Sequence, residues 1–326
     1  MSKARVNNIL RLLLKFLLVI VPFTAIGAET YPIKPVRLII PFPPGGSNDI
    51  VGRMIALQLS ERLGAQVVVD NRGGAGGLIG SEIAAKSPPD GYTLLLISIA
   101  YAYNPALYKL PYDPMKSFTP VALLGTGPNV LAVYPALPVN SVKELIALAR
   151  QKPGQLNYAA AGVGTFQHLG SELFRIMTGI DIVCIQFKGG GPATIDVVAG
   201  HTQFSIGSLI QTLPFLRSGR LRALGTGGAK RAPVLPDVPT IAEAGVPGYE
   251  ANNWWGIIAP AGTSPAIVNR LHKELTAILT SEETQKRFTG EGAEAAQMAP
   301  AAFGKFIAAE MTKWTRVVKE AGIRAE

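Results

Sequence analysis

The chain has 326 residues, of which 48% are hydrophobic, and a formal net charge of +9 at pH 7. Its length suits one large or two medium domains. Basic residues form no run of five or more, which argues against a nucleic-acid-binding surface, and three histidines with one cysteine supply acid/base or metal chemistry poorly.

The N-terminus has the order of a secretory signal peptide. A basic segment, MSKARVNNILRLLLK, precedes 13 mostly apolar residues, FLLVIVPFTAIGA, that end in small side chains. An uncleaved membrane anchor is the alternative, but a membrane-spanning helix needs roughly 20 apolar residues. We therefore expect residues 1–28 to be a signal peptide cleaved after Gly27 or Ala28. Export would leave a net charge of +5, since four basic and no acidic residues are removed.

Short apolar runs alternate with amphipathic stretches along the rest of the chain. The apolar runs predict strands at 36–40, 66–70, 92–98, 156–160, 181–187, 222–226 and 255–261. The amphipathic stretches predict helices at 50–63, 141–152, 167–178, 192–199 and 265–279. This alternation predicts an α/β protein with mostly parallel sheets covered by helices.

Two segments rich in Pro and Gly interrupt the pattern, at 123–141 and 244–255. They predict that the chain crosses twice between two domains. The first domain is then discontinuous, 29–127 plus 252–326, and the second spans 128–251. Two strands that link two α/β lobes form a hinge, and a hinge implies a cleft in which the function should be sought.

The segment PFPPGGSND joins the first predicted strand to the first predicted helix. Gly45 and Gly46 permit a sharp turn, and Ser47 or Asn48 can cap the helix. The first amides of a helix lack intrahelical partners, so such a helix start attracts anions. An ordinary strand-to-helix turn is the alternative for this segment alone. We expect the Asp49 carboxylate to accept from amides at the helix start, or from a water that bridges to the ligand, rather than to contact the anion itself.

The segment AAAGVGTFQHLGSELF repeats this design in the second domain, with Gly162, Gly164 and Thr165 before a helix. Two opposed loops suit one small carboxylate, and we expect the Thr165 hydroxyl to donate a hydrogen bond to it. A third loop, within 186–198, follows the next strand at the same edge. No motif for nucleotide binding, zinc-dependent hydrolysis or a serine nucleophile occurs, so we predict no catalytic residue, metal or cofactor.

The mature chain resembles the Bug-type extracytoplasmic solute receptors, the substrate-binding components of tripartite tricarboxylate transporters. The resemblance covers essentially the whole mature chain and rests on five blocks: YPIKPVRLIIPFPPGGSNDIVGR, VVVDNRGGAGGLIGSEIAAKSPPDGYTLL, NPALYKLPYDPMKSFTPVALL, RAPVLPDVPTIAEAGVPGYE and WTRVVKEAGI. The chain departs from the family pattern at Gln203, where members usually carry Asp.

The resemblance implies a two-lobed periplasmic-binding-protein fold of the Venus flytrap type. It implies a monomeric periplasmic protein, not an enzyme, that closes on a small organic carboxylate and delivers it to membrane permease subunits. A receptor that reports the same ligand to a carboxylate-sensing signalling system is the alternative. In the family, backbone amides and hydroxyls of the two opposed loops hold the ligand.

The candidate ligand-binding residues come from the two loops, from the segments that vary among such receptors, 98–104, 205–211 and 252–255, and from nearby aromatic side chains. For the aromatic members and for His168, ordinary packing is the alternative role. The candidates are Phe42, Gly46, Ser47, Asn48, Asp49, Tyr101, Gly162, Gly164, Thr165, Phe166, His168, Ser208 and Trp254.

Overall fold

The computed structural model describes residues 31–320 and 322. The predicted signal peptide, 1–28, lies outside the described residues. Within them, no helix is both long and apolar enough to cross a membrane.

Ten strands occur in the described part of the chain. They are β1 (Val36–Ile40), β2 (Val67–Asn71), β3 (Thr93–Ser98), β4 (Phe118–Val133), β5 (Asn157–Ala160), β6 (Val183–Gln186), β7 (Phe204–Ser208), β8 (Arg222–Thr226), β9 (Asn252–Pro260) and β10 (Glu294–Ala295).

Ten α-helices accompany these strands between residues 31 and 320. They are α1 (Ser47–Leu63), α2 (Leu78–Ala85), α3 (Ile99–Leu107), α4 (Val142–Gln151), α5 (Phe166–Thr178), α6 (Gly190–Ala199), α7 (Leu209–Arg217), α8 (Pro265–Thr280), α9 (Glu282–Gly290) and α10 (Pro300–Glu320). Sequence signals set several of the starts. Ser141 caps α4 by accepting from the Glu144 amide, and Ser264 caps α8 directly before Pro265.

The strands form two sheets that share β4. The sheet of lobe 1 has the order β2-β1-β3-β9-β4, with β10 on β4, and the sheet of lobe 2 has the order β4-β7-β5-β6, with β8 on β4. β4 pairs with β9 as far as Pro128 and with β7 from Asn129 onward. One 16-residue strand therefore passes from the first lobe into the second.

The α/β class and the two-lobed form agree with the prediction, and one detail differs. β1 pairs in parallel with β2 and β3, and β5 pairs in parallel with β6 and β7, but every described pairing of β4 and β9 is antiparallel. Each sheet is thus mixed, because the strands that link the lobes run against the βα units. We keep 29–127 plus 252–326 and 128–251 as proposed domain boundaries.

The core of lobe 1 lies on both faces of its sheet. Val36, Leu38, Ile39 and Ile40 of β1 are fully buried, as expected for a parallel strand covered on both sides. The C-terminal helix α10 closes this lobe by packing against α3, where the rings of Tyr103 and Trp314 meet edge to face at 4.7 Å.

A buried hydrogen-bond network fixes the crossing point. Asn129 Nδ2 donates to the Tyr249 hydroxyl at 3.0 Å, and that hydroxyl donates to the Gly170 carbonyl of α5 at 3.1 Å. A Cβ at Gly170 would lie 2.9 Å from Asn129 Nδ2, so the close approach requires glycine. The network holds α5 against the crossing strand and thereby sets the position of its first turn.

Candidate functional site

A narrow cleft with a cavity volume of about 50 Å³ lies between the lobes, beyond the carboxyl ends of strands from both sheets. Eight lining residues belong to lobe 1, including Asn253 of β9, and seven belong to lobe 2. They are Phe42, Pro43, Gly46, Ser47, Asn48, Ser98, Ala100, Ala161, Thr165, Phe166, Gln167, Gly190, Ser208, Gln211 and Asn253.

Five helices begin at this cleft. α1 starts at Ser47, α3 at Ile99, α5 at Phe166, α6 at Gly190 and α7 at Leu209. Each contributes a lining residue from its cap or its first turn. The first amides of a helix have no intrahelical acceptors, and the helix dipole places partial positive charge there. Five N-termini directed at one cleft make it attractive to an anion.

No lining residue carries a formal charge at neutral pH. The favourable potential for an anion therefore comes from backbone dipoles and not from a lysine or arginine. Among residues 31–320 and 322, no group of three or more His, Cys, Asp or Glu side chains is arranged to hold a metal ion. The wall offers hydrogen bonds, and its chemistry suits reversible binding of a small molecule.

Several buried polar atoms of the wall have no hydrogen-bond partner in the described part of the chain. They are Asn48 Oδ1, both amide atoms of Gln167 and the Ser208 hydroxyl. Buried polar atoms in native proteins are rarely left unpaired. The four atoms are themselves buried, so a bound molecule reaches them only if the wall shifts.

Asn253 presents a donor to the cleft. Its Oδ1 accepts from the backbone amides of Trp254, at 2.9 Å, and Ile99, at 3.4 Å. Backbone amides only donate, so these contacts fix which end of the side-chain amide is oxygen. The Nδ2 group consequently lies on the side that lines the cleft.

The two lobes touch across the cleft in at least two places. The Tyr108 hydroxyl of lobe 1 donates to the Val163 carbonyl of lobe 2 at 3.1 Å. A Cβ at Gly191 of lobe 2 would lie 3.3 Å from the Pro44 carbonyl oxygen and 3.5 Å from the Gly45 carbonyl carbon of lobe 1. This arrangement is a closed one, with a hydrogen bond between the lobes and little room for a side chain at position 191.

Seven of the thirteen predicted site residues line the cleft, and six do not. The seven are Phe42, Gly46, Ser47, Asn48, Thr165, Phe166 and Ser208. The other six are Asp49, Tyr101, Gly162, Gly164, His168 and Trp254, and their contacts show what each does in the fold.

Asp49 stabilises the first loop, residues 41–49, by contacts outside the cleft wall. Its carboxylate accepts from the Gly45 amide at 3.0 Å, as predicted for a helix start, and also from Arg53 and Asn71. Burial alone would raise the pKa of Asp49, but these hydrogen bonds outweigh it and lower the pKa below its usual value. The charged carboxylate thus holds the Gly45–Gly46 turn in place.

Gly162, Gly164 and His168 shape the second loop. The φ angles of Gly162 and Gly164 are +117° and +72°, which favour glycine. The Gly164 amide donates to His168 Nδ1 at 3.5 Å, and burial lowers the pKa of His168, so the ring is neutral at pH 7. All three residues support the turn behind the lining residues.

Tyr101 and Trp254 pack into the core of lobe 1. The Tyr101 hydroxyl donates to the Pro114 carbonyl at 2.7 Å, and its ring lies against Tyr112 and Phe118. The Trp254 indole donates to Glu310 of α10 at 3.1 Å. Both side chains make the packing contacts of the alternative role for aromatic candidates, and Tyr101 also lines a small cavity together with Phe42 and Ser98 of the cleft wall.

The Thr165 hydroxyl is used within its own loop. It donates to the Gly162 carbonyl at 2.7 Å and accepts from the His168 amide at 3.4 Å as the N-cap of α5. The expected donation to a ligand is not available while the hydrogen points at Gly162. The structure gives the hydroxyl a scaffold role and leaves the amides beyond it to face the cleft.

We expect Thr165→Val to lower the free energy of unfolding of the ligand-free protein by about 1 kcal/mol, because the variant loses an N-cap. Chemical denaturation of ligand-free protein measures this change. Thr165→Ser keeps the hydroxyl and is the control, which should stay within about 0.5 kcal/mol of the wild type. Equal stability of the Val variant and the wild type would contradict the capping role.

Sequence reasoning missed eight lining residues: Pro43, Ser98, Ala100, Ala161, Gln167, Gly190, Gln211 and Asn253. Most lie in segments already singled out as a third loop or as variable regions. The signal that could have found them is positional, because each of α3, α6 and α7 begins within a few residues of a strand's carboxyl end. Helix starts after successive strands converge on one edge of a sheet.

Residues 51–323 match the family model described as the tripartite tricarboxylate transporter family receptor. Protein BugT of Bordetella pertussis is 39% identical over 302 residues, which cover 92% of this chain and 93% of BugT. Among solved structures, a protein of R. palustris with adipate is 39% identical with a TM-score of 0.88, covering 90% of this chain and 100% of that one. MatC from Rhodopseudomonas palustris with bound malate is 32% identical with a TM-score of 0.83, covering 88% and 100%.

Proposed function

Since this chain belongs to the tripartite tricarboxylate transporter receptor family, we propose that it captures a small organic carboxylate between its two lobes and delivers it to the membrane permease of such a transporter. A receptor of this family binds a solute and does not transform it. The export signal predicted at residues 1–28 supports a periplasmic location for this step.

One observation carries the choice of a carboxylate. Five helix N-termini from both lobes meet at a wall without a charged side chain, so an anion is the ligand whose charge they complement. An uncharged sugar would gain no electrostatic benefit from this arrangement, and a cation would be repelled by it. Two relatives with similar folds are solved with the dicarboxylates adipate and malate, which supports the same ligand class.

We expect dicarboxylates to raise the melting temperature of the mature protein in a thermal-shift screen. A ligand present at 100 times its dissociation constant stabilises the folded state by about 2.7 kcal/mol, which raises the melting temperature of a chain of this size by roughly 5 °C or more. The diamides of the same acids are matched controls without charge, and they should give no shift. Equal shifts from diamides and acids would refute recognition of the carboxylate.

Growth tests separate transport from sensing. A strain that lacks the gene should lose growth on the bound acid as sole carbon source if the protein delivers that acid to a permease. Normal growth, together with a lost transcriptional response to the acid, would favour the signalling alternative instead.

A further inference from the structure

Gln211 has a fixed orientation in the cleft wall. It lies in the first turn of α7 and is only 6% exposed. Its Nε2 donates to the Gly190 carbonyl at 2.6 Å and to the Thr194 hydroxyl. A backbone carbonyl only accepts, so the atom beside the Gly190 carbonyl is the nitrogen. The oxygen lies over the Cα of Gly190, in the space that a Cβ there would need.

The Gln211 oxygen is a hydrogen-bond acceptor at the cleft, close to the lining residues Gly190 and Gly46. Within residues 31–320 and 322, Gln211 Oε1 accepts no hydrogen bond, and the residue lines the cleft. A Cβ on Gly46 would lie 3.9 Å from this oxygen. The acceptor of lobe 2 therefore stands opposite the start of α1 in lobe 1, next to the amides that suit a carboxylate.

The Gln211 oxygen cannot form a hydrogen bond with a ligand that has only carboxylate oxygens, because both groups are acceptors. Asn253 Nδ2 and the first-turn amides are donors, and they suit such oxygens. Gln211 Oε1 would then be desolvated and left unpaired, which costs binding free energy. The wall is complete only if the ligand also brings a donor close to its carboxylate.

We propose that Gln211 is a specificity-determining residue. Its Oε1 accepts a hydrogen bond from a ligand hydroxyl next to the bound carboxylate, so that the preferred ligands are hydroxycarboxylates. This inference rests on the proposed function. A hydroxyl fits better than an ammonium group, because no carboxylate side chain lines the cleft and five helix N-termini disfavour a cation.

Titration calorimetry of the mature protein with matched acids tests the proposal. The probes are butanedioate and 2-hydroxybutanedioate, and hexanedioate and 2-hydroxyhexanedioate. We expect the hydroxylated member to bind at least tenfold more tightly in the pair of the better-fitting length. Gln211→Met removes the acceptor at similar volume, and the preference for the hydroxylated acid should fall below threefold.

Two variants separate recognition by Gln211 from its structural contacts. Thr194→Val removes one partner of Gln211 Nε2 but leaves Oε1, and its preference for the hydroxylated acid should persist. Gln167→Met changes another glutamine of the wall and should affect both members of a pair equally. Circular dichroism melting confirms that each variant is folded before its titration is interpreted.

The possible results of these titrations bear on the two proposals separately. Equal binding of both members of the pairs by the wild type, or a preference that survives Gln211→Met, overturns the hydroxyl assignment while the proposed function stands. Tighter binding of 2-aminobutanedioate than of 2-hydroxybutanedioate overturns the choice of a neutral donor. If no carboxylate binds at all, the proposed function fails and the assignment of Gln211 falls with it.

Discussion

Replacing Asn253 by Asp is expected to weaken carboxylate binding at least a hundredfold while the fold persists. Asn253 Oδ1 accepts from two backbone amides, and an aspartate oxygen can keep both contacts. The cleft-facing Nδ2 donor, however, becomes a second carboxylate oxygen. Two like charges about 4 Å apart repel by roughly 4 kcal/mol at an effective dielectric constant of 20, which is close to a thousandfold in affinity.

The same variant should show a pH dependence that the wild type lacks. An aspartate beside a bound anion has a raised pKa, because the neighbouring negative charge disfavours ionisation. Affinity should therefore recover as the pH falls toward 5 and the carboxylate introduced by Asn253→Asp becomes protonated and neutral. Calorimetric titrations at pH 5 and pH 8 measure this recovery.

Asn252→Asp is the matched control for this charge change. Asn252 is the preceding residue of β9, and consecutive side chains of a strand point to opposite faces. Its Nδ2 donates to Glu250 at 3.2 Å, on the face away from the cleft. The ligand affinity of Asn252→Asp should stay within about threefold of the wild-type value. If its affinity falls as much as that of Asn253→Asp, the cause is the negative charge added to β9 and not the contact in the cleft.

Gly191→Leu should reduce ligand affinity by roughly ten- to a hundredfold without lowering the melting temperature of the ligand-free protein. Gly191 lies in the first turn of α6, where leucine is a better helix former than glycine. In the closed arrangement, however, even a Cβ there would lie 3.3 Å from the Pro44 carbonyl oxygen of lobe 1. A larger side chain keeps the lobes apart and stabilises the open arrangement relative to the closed one. A tenfold to hundredfold loss of affinity corresponds to about 1.4–2.8 kcal/mol of this relative free energy.

Gly290→Leu provides the comparison for Gly191→Leu. Gly290 is also a helical glycine, in α9, and a Cβ there would meet no heavy atom within 4 Å. By calorimetry, Gly290→Leu should bind the ligand with wild-type affinity. In small-angle scattering with saturating ligand, Gly191→Leu should be more extended than the wild type, and Gly290→Leu should not. Wild-type affinity of Gly191→Leu would mean that the lobes need not close this far to bind.

The fold was predicted best where local pattern and tertiary packing agree. The strand at 36–40 and the helices that begin near Ser47 and Phe166 follow from an apolar run, a glycine turn and an amphipathic repeat. The largest error concerns β4, because its second half was interpreted as a border segment rich in Pro and Gly. Gly125 lies at a register irregularity of the pairing with β9 and pairs with β10 on its other side, and this pairing overrides its weak strand propensity.

The sequence alone determined the α/β class and the two glycine-bearing helix starts, and it favoured an anion as the ligand, because each of these depends on residues that are close along the chain. Only the tertiary structure decided which side chains line the cleft. Tyr101 and Trp254 turn into the core, while Gln211 and Asn253 turn into the cleft. Those orientations are set by backbone groups from distant segments, such as the Ile99 amide that donates to Asn253. A local sequence pattern cannot predict partners that lie so far away along the chain.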